Sequence, residues 1–362
     1  MKILHIFTDD KFANFGINQF NRIKDADIKN HYVVISNNVD VLLRINANEG
    51  FTSKQFIKKL LLRGYCEYDV VIFHSFGNVF KLFSKLLPNK IMRVWIGWGF
   101  DYYYLLNDVT VLDYKEKSKK YRIDLFELLY KILNIDKEIS KVDYFCPVLN
   151  SEFILFKKFF SKNVEFIDWN YGSQEQIISE NILPKNYKLG GNIYIGNSSS
   201  STSNHFDALK RISHIENEII IPVNYGDPIY RAWLSRKIKI LSNYNNIKLL
   251  DKYLNINDFI GVLLTCNIMI LNHIRQQGAG NMALGFFLGH TIYMNSKSLL
   301  YHEFKDKGFK ILDVENINSG YNVELLSDAD IEENKCLANK YFNINTSKHK
   351  TENLINTLKC KI

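Results

Sequence analysis

Asn192-Ile193-Tyr194-Ile195-Gly196-Asn197-Ser198-Ser199-Ser200-Ser201-Thr202-Ser203-Asn204-His205 is the stretch on which the fold turns. An apolar, β-prone run ends at a glycine, a loop of small hydroxylated residues follows, and Phe206-Asp207-Ala208-Leu209-Lys210-Arg211-Ile212 continues at helical spacing. Strand, loop and helix in that order are the repeating unit of a parallel α/β sheet. The loop also has chemistry. Backbone N–H groups, hydroxyls and the positive end of a helix dipole together suit an anion such as a diphosphate. The ordinary alternative is a serine-rich connection with an Asn or Ser cap.

The same pattern recurs on both sides. Towards the C-terminus, strands are expected at Glu218 to Pro222, Ile247 to Leu250, Ile268 to Leu271 and Thr291 to Met294, with helices between them. Towards the N-terminus, they are expected at Lys2 to Phe7, His31 to Ile35, Tyr68 to Phe73, Arg93 to Ile96 and Tyr144 to Val148. Val111 to Ile139 is charged, lacks Gly and Pro, and reads as helix. At 362 residues the chain exceeds the roughly 250–300 at which single cores stop growing, so two domains are expected. The boundaries fall at 1–170, a linker at 171–190, a second domain at 191–340 and a helix or tail at 341–362. The layout is two successive doubly wound, Rossmann-like α/β domains, whose ligands bind beyond the carboxyl ends of the strands.

Composition excludes several classes. The chain is 46% hydrophobic and 23% charged, with 21 Tyr and 25 Phe, so it is globular and rich in aromatics. Five isolated cysteines show neither a CxxC pair nor zinc spacing and read as reduced thiols. Neither a signal peptide nor a run of about 20 uncharged apolar residues is visible, so neither export nor membrane spanning is expected. The formal charge of +8 suits an acidic partner: a nucleotide diphosphate, anionic lipid or nucleic acid. No nucleic-acid-binding motif is present, which leaves the last remote.

Two further loops join the serine loop as candidates. His273-Ile274-Arg275-Gln276-Gln277-Gly278-Ala279-Gly280 follows a strand; its glycines permit close backbone approach and Arg275 can neutralise a phosphate. Read as a dinucleotide fingerprint it lacks the third glycine. Pro222-Val223-Asn224-Tyr225-Gly226-Asp227 is another strand end turning through glycine. The donor-binding set is Gly196, Asn197, Ser198, Asn204, His205, Tyr225, Arg275, Gln277, Gly278 and Gly280. In the first half, Phe73-His74-Ser75-Phe76-Gly77 and Trp95 to Tyr103 end in titratable residues among aromatics. Burial can raise a carboxyl pKa towards the range of a general base, which makes Asp101 and His74 the catalytic candidates, with His5 and Asp9 behind them. A core histidine or capping aspartate is the ordinary alternative for each. Glu152 to Lys162 interleaves lysines with aromatics, as an interfacial or a core-facing helix would.

Taken in order, Trp98-Gly99-Phe100-Asp101-Tyr102, Gly196-Asn197-Ser198 with Ser203-Asn204-His205, Pro222-Val223-Asn224-Tyr225 and Arg275-Gln276-Gln277-Gly278 resemble the TDP-N-acetylfucosamine:lipid II N-acetylfucosaminyltransferase family, the 4-alpha-L-fucosyltransferase family of enterobacterial common antigen synthesis. The resemblance runs from the first strand to about residue 310. It implies a glycosyltransferase of B type, with donor in the C-terminal domain, acceptor in the N-terminal domain and reaction in the cleft they face. The implied donor is a TDP-linked 4-acetamido-4,6-dideoxygalactose or similar sugar, and the implied acceptor an undecaprenyl-diphosphate-linked saccharide. The expected place is the cytoplasmic face of the inner membrane, as a peripheral protein. The serine run and Asn281-Met282 depart from the family pattern and leave donor identity open. No metal is expected: Asp25-Ala26-Asp27 and Asp328-Ala329-Asp330 have DxD form but follow no strand. Alternatives are a B-type transferase using another donor such as a UDP-sugar, or a catalytically silent sugar-nucleotide-binding module.

Overall fold

A computed structural model describes residues 1–9, 13–36, 47–61, 65–106, 110–114, 132–161, 163–171, 187–241, 244–252, 254–317 and 323–362. The chain divides into two units, Met1–Leu106 with Lys117–Gly172 and Ile344–Ile362, and Asn107–Glu116 with Ser173–Asn343.

The first unit is built on β1 (Lys2–Thr8), β2 (Lys29–Ile35), β3 (Glu49–Phe51), β4 (Val70–His74), β5 (Met92–Ile96), β6 (Tyr144–Cys146) and β7 (Glu165–Phe166). They pair in parallel in the order β3-β2-β1-β4-β5-β6-β7. Helices α1 (Ala13–Asn21), α2 (Ser53–Leu61), α3 (Asn78–Leu86) and α4 (Asn150–Phe156) connect them. Strand side chains alternate between faces, so β1 gives Leu4 and Ile6 to one core and Ile3 and Phe7 to the other. Both faces are covered, which is why these strands read as unbroken apolar runs rather than alternating ones. Phe56, Phe80 and Phe83 of α2 and α3 cover the first face, and Ala13, Ile17 and Phe20 of α1 cover the second.

The second unit contains β8 (Asn192–Ile195), β9 (Ile219–Pro222), β10 (Ile247–Leu250), β11 (Cys266–Leu271), β12 (Thr291–Met294) and β13 (Leu312–Asp313). Their order is β10-β9-β8-β11-β12-β13, again all parallel. Between and after them run α5 (His205–Arg211), α6 (Pro228–Lys237), α7 (Ile256–Leu264), α8 (Ala279–Leu288), α9 (Leu299–Asp306) and α10 (Asp328–Tyr341). In both sheets the winding reverses beside the first strand, between β1 and β4 and between β8 and β11. Loops leaving those two strands diverge to opposite faces and open a crevice.

The unit boundaries differ from the linear reading in two places. The final helix, α11 (Ile344–Lys359), set apart at 341–362 in the sequence, joins the first unit and packs on its sheet through Leu354, Ile355 and Leu358, all buried. Trp169 Nε1 donates to Thr351 Oγ1 at 3.0 Å, and Lys350 and Lys359 pair with Asp168 and Asp25. Three such side chains contribute roughly 5 kcal/mol of apolar burial, and the ion pairs and the Trp169 bond fix the helix's polar edge. The second exception is the short 107–116 excursion, which belongs to the second unit. Tyr114 packs edge-on against Tyr230 and Trp233, and Lys210 pairs with Asp113. Of the stretch expected as helix, 115–131 lies outside the described residues, as does most of the expected linker. Among the described residues, no helix is long and apolar enough to cross a membrane.

Candidate functional site

At the β8/β11 crevice, two loops are joined by side chains. Gln277 Nε2 donates to Asn197 Oδ1 at 3.0 Å and to Ser203 Oγ at 2.9 Å, while its Oε1 accepts from Thr202 Oγ1 at 2.5 Å. Arg275 Nε donates to the same Thr202 oxygen at 3.0 Å and its NH1 to the Gln276 carbonyl at 3.1 Å. One amide and one guanidinium therefore fix the serine loop against the glycine loop. The third loop is clamped to the first: Ser199 N donates to the Tyr225 carbonyl at 2.8 Å, and Asp227 N to the Ser199 carbonyl at 2.7 Å. Tyr225 is 46% exposed, and its phenol bonds to Ser198 and Asn197. Asn197, Ser198, Tyr225, Arg275, Gln277 and Gly278 thus meet at the carboxyl ends of β8, β9 and β11.

Backbone geometry explains the glycines. Gly196 has φ +75°, and a Cβ on it would stand 2.3 Å from His205 Nε2. Gly278, with φ +71°, forms the N-cap of α8 with no side chain capping it. Gly280 is exposed in the first turn. The start of α8 therefore presents backbone N–H groups and the positive end of its dipole beside Arg275.

Two residues expected to bind the donor have other work. Asn204, 4% exposed and left-handed at φ 50°, donates through Nδ2 to the carbonyls of Thr110, Thr202 and Asn272 and accepts from Leu112 N at 2.9 Å. Its amide is fully engaged in tying 110–112 to the second unit, so it has no donor to offer a diphosphate. His205 is fully buried beneath Gly196, with Nδ1 3.1 Å from the Tyr230 hydroxyl. Burial lowers its pKa to about 3, so it is a neutral ring and not a cation for phosphate.

In the first unit the titratable candidates separate by exposure. Asp101 is 2% exposed. Its Oδ2 accepts from Phe76 N at 2.9 Å and Trp95 Nε1 at 2.8 Å, and its Oδ1 accepts from Trp98 N at 2.8 Å. Burial raises its pKa while these donors oppose the shift. Asp101 thus stitches the loop after β5 to the loop after β4, where Ser75 is held at φ 110°, a conformation that costs a non-glycine residue energy.

His74 is fully buried, stacked on Phe7 at 3.6 Å. Its Nε2 lies 3.1 Å from His5 Nδ1, and its Nδ1 lies 2.7 Å from the Tyr171 hydroxyl. His5 Nε2 faces the Asn30 Oδ1 acceptor at 3.2 Å, so the proton sits on His5 Nε2. That order makes His74 Nε2 a donor and directs the Tyr171 hydroxyl proton into His74 Nδ1. Burial, and then the proximity of His5, lowers the pKa of His74 far below the ordinary value. Neither Asp101 nor His74 is open to an acceptor hydroxyl. Asp9 is: it is exposed at the end of β1, with Oδ2 accepting from Ser36 Oγ at 2.8 Å.

The aromatic-basic stretch divides as well. Glu152 is buried, accepting from the Tyr102 hydroxyl and Leu149 N, and Phe156 and Phe160 enter the core. Lys157 and Lys158 lie outside beside Ile154, which is 82% exposed. The DxD-like pairs hold structure: Asp25 meets Lys359, and Asp328 and Asp330 occupy the first turn of α10, where carboxylates are favoured. Among the described residues no three His, Cys, Asp or Glu side chains cluster as metal ligands would.

Asn197 and Asn224 belong to a larger asparagine set whose other members, Asn272 and Asn295, the sequence reading did not name. Asn197, Asn224, Asn272 and Asn295 each follow the end of β8, β9, β11 or β12 by one or two residues. Asn295 Nδ2 donates to Asn272 Oδ1 at 2.8 Å, and Asn272 Nδ2 to Asp207 Oδ2 at 3.0 Å. The signal was the recurrence of Asn at successive strand ends.

Known proteins share this fold. Over essentially their full lengths, solved structures share the fold at low identity. Sucrose-phosphate synthase from Thermosynechococcus elongatus matches with TM-score 0.64 at 10% identity, covering 100% of both chains. Anabaena HepE, solved with UDP and glucose, matches with TM-score 0.61 at 11% identity, covering 97% of this chain and 99% of its own. WaaG, a glycosyltransferase of lipopolysaccharide biosynthesis, gives 0.55 at 9% identity, with 99% of each chain covered. The architecture is that of the B-type glycosyltransferases, and the model of the 4-alpha-L-fucosyltransferases matches residues 15–325. With two parallel-sheet units, the chain belongs to the 4-alpha-L-fucosyltransferase family, glycosyl transferase group 56.

Proposed function

We propose that the enzyme transfers an acetamido-dideoxyhexose, 4-acetamido-4,6-dideoxygalactose or a close relative, from a TDP-sugar to an undecaprenyl-diphosphate-linked saccharide during surface polysaccharide synthesis. The observation that carries the donor site is the Gln277 amide joining Asn197, Thr202 and Ser203 across the β8/β11 crevice, with Arg275 and the uncapped start of α8 alongside. There the diphosphate meets a fixed cation and backbone N–H groups.

In the transfer step the acceptor hydroxyl oxygen bonds to the anomeric carbon while the bond from that carbon to the β-phosphate oxygen breaks. The nucleoside diphosphate leaves with an added negative charge, which Arg275 and the α8 dipole stabilise without a divalent ion. The hydroxyl proton goes to a carboxylate; Asp9 is our choice, since Asp101 and His74 are engaged in holding loops.

Charge supports a place at the cytoplasmic face of the inner membrane. The first unit carries 28 Lys and Arg against 18 Asp and Glu, and the second 18 against 20, so the whole excess lies on the unit assigned to the lipid-linked acceptor. The runner-up is the same reaction with a UDP-sugar, favoured by the UDP bound to the Anabaena neighbour. Thermal-shift titration with TDP, UDP and GDP, without and with EDTA, tests the reading. Selective stabilisation by TDP that survives EDTA supports it, UDP preference replaces the donor, and no shift with any nucleotide overturns the donor site.

A further inference from the structure

Among the described residues, the crevice of the second unit holds buried side-chain acceptors with no hydrogen-bond partner: Nε2 of His273 and Oε1 of Gln276, with Nε2 of His205 beneath Gly196 and Oδ1 of Asn224 at the end of β9. His273 and Gln276 are 0% and 4% exposed. A buried polar atom left unpaired weakens a fold, and such atoms persist where a ligand completes them. The chemistry of the missing partner follows from the tautomer. His273 Nδ1 lies 3.1 Å from the Gln277 carbonyl oxygen, which can only accept, so the proton is on Nδ1 and Nε2 presents a lone pair. Phosphate oxygens have no hydrogen to give it. A hydroxyl does.

Place narrows the choice. The ring Cε1 stands 3.0 Å, and Asn197 Cβ 3.4 Å, from where a Cβ on Gly278 would lie, so the ring edge adjoins the start of α8. A diphosphate held there is flanked by two hydroxyl-bearing groups, the pentose and the transferred sugar. We infer that His273 Nε2 and Gln276 Oε1 accept hydrogen bonds from a hydroxyl of the bound sugar nucleotide next to the diphosphate, so that they read its sugar and not its charge. The inference rests on the donor site proposed above. His273 keeps this role at working pH: burial first, then His205 and Arg275, hold its pKa at about 3 against the opposing pull of the Gln277 carbonyl.

The test is calorimetric titration of the full chain with inorganic pyrophosphate, TDP, UDP, TDP-glucose and UDP-N-acetylglucosamine, using wild type, His273→Asn and Gln276→Met. Asparagine keeps an N–H for the Gln277 carbonyl and removes the Nε2 acceptor. Pyrophosphate affinity is expected to hold within twofold in both variants. Ligands that carry the hydroxyl weaken about tenfold or more, as sites built to bond a hydroxyl do when the pairing is lost. Equal weakening of nucleoside diphosphates and their sugars assigns the pentose; weakening of the sugar nucleotides alone assigns the hexose.

Unchanged binding of every ligand overturns the inference and leaves the donor site standing. So does a wild-type affinity for pyrophosphate that falls as pH rises through 6.5 and loses that dependence in His273→Asn, because it marks a protonated ring holding phosphate. If His273→Asn does not fold, Gln276→Met decides by the same criteria. Failure of the wild type to bind any nucleotide overturns the donor site itself.

Discussion

Gln277 Nε2 donates to Asn197 Oδ1 at 3.0 Å across 80 residues of sequence, and this one amide closes the crevice between β8 and β11. Its three bonds span the two loops, although Thr202 Oγ1 also meets Arg275 and Ser200, and Ser203 Oγ also meets the Ser198 carbonyl. Gln277→Ala is expected to destabilise the second unit by about 1–2 kcal/mol, since the cross-loop bonds are lost while their partners keep others. Denaturant unfolding measures that loss, and nucleotide titration of the same variant should show weaker binding. Full stability in Gln277→Ala would remove the amide from its structural role.

Gly196 is required on two grounds, a positive φ and the His205 ring 2.3 Å from its would-be Cβ. Gly196→Ala should cost roughly 1–2 kcal/mol for the left-handed backbone alone, and more for the clash. Adding His205→Ala removes the obstructing ring. The double variant should therefore be less unstable than the sum of the two single changes, as contacting sites commonly are. A melting series of the four proteins checks the coupling, and strict additivity refutes the contact.

Asp9 and Asp101 should respond differently to the same substitution. Asp9→Asn, at an exposed site, should leave stability within about 0.5 kcal/mol and lower kcat by about 10²-fold or more if this carboxylate takes the proton. Asp101→Asn places an NH2 group against donors from Trp95, Trp98 and Phe76, and should lower the melting temperature as well as activity. Equal kcat losses with equal melting temperatures would erase the distinction.

The buried histidines set an acid limit. His5, His205 and His273 each have a folded pKa of about 3 against 6.5 when exposed, so between these values the unfolded chain binds more protons. Their stability is fully present above pH 6.5 and falls as pH drops towards 3. Each contributes up to about 1.4 kcal/mol per pH unit within that window. Unfolding free energy from urea titrations at pH 4 to 8 should be nearly flat above 7 and fall steeply below 6. His205→Gln should flatten the fall, and an unchanged slope would show that this ring is not buried neutral.

Much of this was legible in the chain because the information is local. Strand ends at Ile195 and Leu271, glycines at 196 and 278 and the following apolar helices follow from side-chain type and spacing, and a parallel α/β reading follows from their repetition. The loops at 196–205, 222–227 and 272–280 were legible as candidates for the same reason.

What local pattern could not show was how each polar group is partnered. Asp101 in an aromatic setting reads as a base, yet three N–H donors from two loops hold it; Asn204 reads as a phosphate ligand, yet four backbone groups occupy it. The lone pair of His273 exists only because the Gln277 carbonyl claims the other nitrogen. The return of α11 to the first sheet is equally invisible, since an amphipathic helix does not name the surface that buries it. Sequence determined the elements, their α/β order and the family, because these depend on residue types within a few positions of one another. Tertiary structure decided which buried groups are satisfied and which are left unpaired, because hydrogen bonding and desolvation depend on residues brought together from distant parts of the chain.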